Sequence, residues 1–312
     1  MTDSLSRGGF LAASAAAGAM GGVRSQAALG APAASLRIRW YGGGVYELST
    51  NDDRAIVLVD AWIWNNSGFT AFGIPKPPEL ASAAAYAAHI KSRHPDTVIV
   101  ALTHDHGDHI GDYFELLGTL VNAGIDVKTV GQSDLMRVGL VPRFTSASLD
   151  PKQLVLNGGA GINLGGAAAY KGVRLELVPA VHSTASGFPP AGFIIDIGDA
   201  RVYASGDTDV FGDMALMGRR YQPDLAVVSS GNGAFTMGPE DAASAVAMIG
   251  ARHAIPVHYA HNPLVIGPHC GDLFRAAMER VAPSVPVTVM RPGEMSTLTL
   301  TTVARPPRSG AG

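Results

Sequence analysis

Thr97-Val98-Ile99-Val100-Ala101-Leu102 runs directly into Thr103-His104-Asp105-His106-Gly107-Asp108-His109. The first six residues are apolar and β-branched and read as a buried strand. Three imidazoles and a well-placed carboxylate then follow between positions 104 and 109. In extended chain the side chains alternate, so His104 and His106 share a face. Gly107 lets the chain turn, so that Asp108 and His109 face a neighbouring point from the start of the next helix. Imidazole with carboxylate is the ligand chemistry of zinc and other first-row divalent ions. The spacing therefore predicts one loop serving two adjacent metal ions.

Outward from this loop, further donors stand at the ends of other expected strands. His182 follows Val173–Val181, Asp207 follows Arg201–Ser205, and His258 follows Ala254–Val257. Each is weak evidence alone, and their shared position gives them weight. Strands are expected at Leu36–Tyr41, Val45–Ser49, Ala55–Ala61, Ile125–Val130, Val173–Val178, Phe193–Ile197, Leu225–Ser229 and Val285–Met290. Gly198-Asp199 reads as a hairpin turn between two of them. Helices are expected at Leu80–Arg93, within 210–221, at Pro239–Ile249 with proline in the first turn, and at Asp272–Val281. Hairpins mixed with strand–helix alternation fit an α+β protein of two packed sheets with helices outside.

The chain has 312 residues, 23 Lys+Arg against 26 Asp+Glu, 47% hydrophobic residues and one cysteine, Cys270. That much apolar material excludes a disordered chain. The near-neutral balance without basic runs excludes a typical nucleic-acid binder, whose affinity rests on phosphate neutralisation. A lone cysteine excludes a disulfide framework. Residues 1–33 read as a signal-like leader: Arg7, an Ala/Gly-rich stretch from Gly8 to Gly22, then small residues suited to cleavage. Ser6-Arg7-Gly8-Gly9-Phe10-Leu11 looks like a twin-arginine signal lacking its second arginine. Export to the periplasm is the expectation, with a cytoplasmic protein if the leader does not function. Residues 34–312 read as one domain with no membrane anchor.

The H-x-H-x-D-H string with later His, Asp and His resembles the metallo-β-lactamase superfamily. Within it, Val202–Thr208, Thr236-Met237-Gly238-Pro239-Glu240 and Pro256-Val257-His258-Tyr259 are similar to the UlaG-like metal-dependent hydrolases of the UPF0173 group. The likeness runs in order from about residue 36 to 300 and is strongest over 202–259. It implies a four-layer αββα metallo-β-lactamase sandwich with its site at one edge. It implies a first metal on His104, His106 and His182, a second on Asp108, His109 and His258, and Asp207 bridging them. Zinc is the first expectation for both ions, and manganese, nickel or iron fit the same ligands. Two features depart from the group. Gly42-Gly43-Gly44 stands where a histidine usually follows the first glycine, and Ser229–Ala234 is longer and more polar than the group's pattern.

The expected activity is metal-dependent hydrolysis of an ester, lactone, amide or phosphoester bond in a small-molecule substrate, with a lactonase-like or esterase-like enzyme favoured. Two bridged ions would activate the attacking water, and Asp108 and Asp207 are the candidate catalytic carboxylates. Trp62, Trp64, Asn232, Tyr259 and His261 are candidate substrate contacts, and Phe69 and Phe72 extend the same aromatic segment. Two other classes stay open: an iron-dependent redox or oxygen-handling member of the same fold, and a non-catalytic metal-binding protein. No G-x-S-x-G elbow is present, which argues against a serine hydrolase. A homo-oligomer is compatible with all of these readings.

Overall fold

The computed structural model describes residues 33–231, 234–303 and 305. The leader expected over 1–33 lies outside the described residues except for Ala33, and Asn232 lies outside them too. Among the described residues, twelve strands form two six-stranded sheets. The first sheet has the order β12-β1-β2-β3-β4-β5, built from β1 (Ala33–Gly42), β2 (Val45–Ser49), β3 (Ala55–Val59), β4 (Thr97–Ala101), β5 (Val127–Val130) and β12 (Met295–Thr301). The second has the order β11-β10-β9-β8-β7-β6, from β6 (Ala167–Tyr170), β7 (Val173–Pro179), β8 (Ala191–Ile197), β9 (Ala200–Ala204), β10 (Leu225–Ser229) and β11 (Ala254–Val257).

Each sheet is antiparallel on one side and parallel on the other. β3, β4 and β5 run parallel, as do β9, β10 and β11. The parallel strands are buried on both faces, which explains their unbroken apolar runs. Alternation divides each run between two layers. Val57, Val59 and Ile99 meet Leu175, Leu177, Phe193 and Val227 between the sheets. Ile56, Leu58, Val98 and Val100 point outward to Tyr86, Ile90, Leu116 and Leu120 of the helices Ala83–Ser92 and Tyr113–Asn122. On the far side Ile194, Tyr203 and Val228 pack on Val246, Ile249, Phe274 and Met278 of the helices Pro239–Ile249 and Cys270–Val281. The result is the four-layer αββα sandwich, a metallo-β-lactamase fold.

Local signals set several element ends. Ser82 caps its helix by accepting from the Ala85 N–H. Pro239 sits in the first turn of its helix, and Gly250 ends that helix at φ +68°. One expected strand is corrected. Val285–Met290 makes only a single bridge, Val287 to Ala254, whereas Met295–Thr301 pairs along its whole length with Ala33–Arg39 of β1. The physical reason is the edge each segment meets. The start of β11 takes two hydrogen bonds, Ala254 N–H to Pro286 O and Thr288 N–H to Ala254 O. The exposed edge of β1 accepts a whole strand, whose Leu298 and Leu300 turn into the core. Among the described residues, no helix is long and apolar enough to cross a membrane.

Candidate metal centre

Every donor anticipated from strand ends arrives at one edge, beyond the carboxyl ends of β3, β4, β7, β9 and β11. This is where α/β sheets place ligands, because loops leaving parallel strands converge there. His104 follows β4 and is buried, and its Nε2 lies 3.0 Å from His106 Nδ1. His182, reached after β7, places Nε2 3.3 Å from the same His106 nitrogen. Asp207 follows β9 and is the hub. Its Oδ2 lies 3.3 Å from His109 Nε2, 3.6 Å from His182 Nε2 and 3.0 Å from His258 Nε2. Its Oδ1 accepts from Ser229 Oγ at 3.0 Å. Asp108 Oδ2 lies 3.6 Å from His258 Nε2 and 3.2 Å from His261 Nε2, and its side chain is 31% exposed.

A buried carboxylate absent from the sequence reading organises the histidines. Asp60, at the end of β3, accepts from Thr103 N–H at 2.8 Å, from Thr103 Oγ at 2.8 Å and from His109 Nδ1 at 2.6 Å. Because the Thr103 hydroxyl gives its one proton to Asp60, it must accept from His104 Nδ1, 2.9 Å away. Both imidazoles therefore donate from Nδ1 and turn Nε2 toward the cluster. Such outer carboxylates fix ring orientation and raise donor basicity. The available signal was a lone acid inside the apolar run Ala55–Ala61.

The glycine turn also gains a reason. A Cβ on Gly44 would lie 2.6 Å from His109 Cε1 and 3.2 Å from His258 Cδ2. Gly43 O accepts from His258 N–H at 2.7 Å, docking the turn onto the end of β11. The backbone approaches the imidazoles so closely that position 44 has no room for a side chain.

The donor chemistry fits metal binding. Donor–metal bonds of ~2.0–2.2 Å around a tetrahedral ion put donors ~3.3–3.6 Å apart, close to the spacings found here. Three sets each bring donor atoms within 4.8 Å of one another: His104, His106 and His182; His104, His109 and Asp207; Asp108, His109 and His258. His109 Nε2 and both His258 nitrogens are buried without a hydrogen bond. Charge points the same way. Burial works against a charged His258, yet Asp207 and Asp108 raise it to about 9. Burial is likewise outweighed at His109 by Asp207 and Asp60, which raise it. For His104 and His182 burial prevails and holds them below the ordinary imidazole value. Among the described residues no lysine or arginine pairs with Asp60, Asp108 or Asp207. The pocket is acidic, with imidazole nitrogens facing inward.

The expected substrate contacts separate. Trp62 is half-buried beside the cluster, edge-on to His261 with ring centroids 6.1 Å apart. Trp64 instead gives its indole N–H to Glu115 at 3.0 Å. Tyr259 is a correction. It is fully buried between the sheets against Trp40, 4.8 Å between centroids, and cannot touch a substrate in the cleft. Phe69 is buried in the outer core and Phe72 packs on Trp40, so both pack internally.

A two-sheet sandwich with a histidine–aspartate edge site defines a class, and comparison with known proteins narrows it. Residues 57–259 match the family model described as the beta-lactamase superfamily domain. A UPF0173 metal-dependent hydrolase of Nitratidesulfovibrio vulgaris is 34% identical over 263 residues, covering 84% of this chain and 95% of the relative. One from Caldivirga maquilingensis is 31% identical, covering 84% and 97%. Igni18, a metallo hydrolase from Ignicoccus hospitalis, superposes with a TM-score of 0.63 at 25% identity, over 85% of this chain and 99% of that one. The chain belongs to the metallo-β-lactamase superfamily, in its UPF0173 group.

Proposed function

We propose that this protein is a metal-dependent hydrolase acting on an ester or lactone through two divalent cations at the sheet edge. The observation that carries the reading is Asp207 Oδ2, which stands within 3.0–3.6 Å of imidazole nitrogens from three separate loops. His104, His106 and His182 would hold the first ion, and Asp108, His109 and His258 the second, with Asp207 shared. Zinc suits these donors best, and manganese, nickel or iron are accepted by the same set. When bound, such ions supply Lewis acidity and a water acidic enough to lose its proton near neutral pH.

The chain's own residues do the rest. Asp60 fixes His109 directly and His104 through Thr103, so the donors need no reorganisation. Asp108, the partly open carboxylate, would orient the attacking water and carry a proton to the leaving group. A cavity of about 430 Å³ borders the cluster at His261 and is flanked by Ser67, Thr70, Ala71, Pro263 and Val265. Among the described residues, no lysine, arginine or carboxylate lines it. That supports an uncharged ester or lactone over a phosphoester. Elemental analysis of purified protein, with lactone, aryl ester, amide and phosphodiester substrates screened on the same sample, is the test. Roughly two ions per chain and chelator-sensitive turnover of ester or lactone are expected. Iron-loaded protein hydrolysing none of them would overturn the reading.

A further inference from the structure

His261 is 3% exposed, its Nδ1 has no hydrogen-bond partner, and its Nε2 faces only the Asp108 carboxylate, at 3.2 Å. A buried imidazole so sparsely partnered is costly, and a cation shared with that carboxylate would satisfy it. The chain invests in placing it. His258 at φ +61° and Ala260 at φ +56° are both left-handed, an uncommon pairing for residues other than glycine, and together they fold His261 back toward His258. The loop is tied down from three directions. Ala260 N–H donates to Ile266 O at 2.9 Å, Ile266 N–H donates to Gly231 O at 2.7 Å, and the Ser67 hydroxyl donates to His261 O. The ring itself is held 4.5 Å from the His258 ring, between centroids, and 6.1 Å from Trp62.

Its Nε2 ends 3.2 Å from Asp108 Oδ2, which lies 3.6 Å from His258 Nε2. These separations bracket the ~3.3–3.6 Å edge expected between donors sharing one tetrahedral ion. We propose that His261 is a further metal donor, adding its Nε2 to Asp108 and His258 at the second cation position. This rests on the reading of the site as a two-cation centre. It makes that position richer in nitrogen than the conventional set of Asp108, His109 and His258, and gives it the imidazole-rich character preferred by zinc, nickel, copper and iron.

The test uses the full-length protein loaded with cobalt(II), titrated to two ions and followed by chelator competition and by proton NMR of the shifted imidazole N–H signals. In His261→Ala and His261→Gln the second ion should bind more than about 100-fold more weakly, beyond the loss typical of outer-shell changes. One shifted imidazole signal should vanish, while the first ion stays bound and reports an intact fold. Second-ion affinity within a few-fold of wild type, or weakened binding with every imidazole signal retained, would overturn the proposal. Wild-type protein that takes up no cobalt would instead overturn the two-cation reading beneath it.

Discussion

Asp60 holds three donors on one carboxylate, and two of those hydrogen bonds decide how His104 and His109 present their lone pairs. An amide in its place can accept fewer of them and would turn an N–H toward His109 or Thr103. Asp60→Asn is expected to leave the protein folded and to weaken metal binding roughly 10–100-fold, measured by competition with a chromophoric chelator. Unchanged affinity would mean the imidazoles are oriented by packing alone. The clustered donors themselves were legible because His104, His106, Asp108 and His109 lie within one short loop. Asp60 was not legible as an orienting group, since its role depends on Thr103 and His109 meeting it across the sheet edge.

At the level of elements, the Gly42–Gly44 turn between β1 and β2 is a structural demand of the site. In Gly44→Ala the new methyl would meet His109 Cε1 at 2.6 Å, and either the ring or the turn must move. Metal content per chain should fall sharply while far-UV circular dichroism stays the same; full metal content would show that the turn yields freely. Strand β12 makes a second case. Leu300 is 1% exposed at the edge of the first sheet, and Leu300→Ala should cost about 2–5 kcal/mol in urea unfolding. A loss well under 1 kcal/mol would show that the strand adds little to the core. Its Met-Ser-Thr-Leu-Thr-Leu-Thr alternation is a half-buried strand pattern, but the more apolar Val285–Met290 looked the better candidate. Pairing partners chose between them, which is why strand preference depends on context.

For the whole molecule, stability should lean on a histidine remote from the metal edge. His253 donates or accepts at Thr288 Oγ at 2.8 Å, and burial holds its pKa below the ordinary 6.5. The unfolded chain therefore binds a proton at a pH where the folded chain does not. The stability from neutral His253 is fully present above pH 6.5 and is lost as pH falls from there toward the lower folded value. Urea midpoints at about pH 7.5 and about pH 5.5 should differ less in His253→Gln than in wild type. An equal difference in the two proteins would assign the acid loss elsewhere, for example to His89, which burial and the nearby Arg39 and Arg93 also depress.

By itself the sequence determined the two-sheet architecture and the imidazoles and carboxylates that gather at its edge. Both follow from short-range rules: alternation along a strand, apolar runs in doubly covered strands, and donors clustered where such strands end. Only the tertiary structure decided which strand closed the first sheet, that Asp60 would set the imidazole tautomers, and that His261 would come to rest against Asp108. Local spacing tells which way a side chain points, but not what a distant part of the chain will bring to meet it.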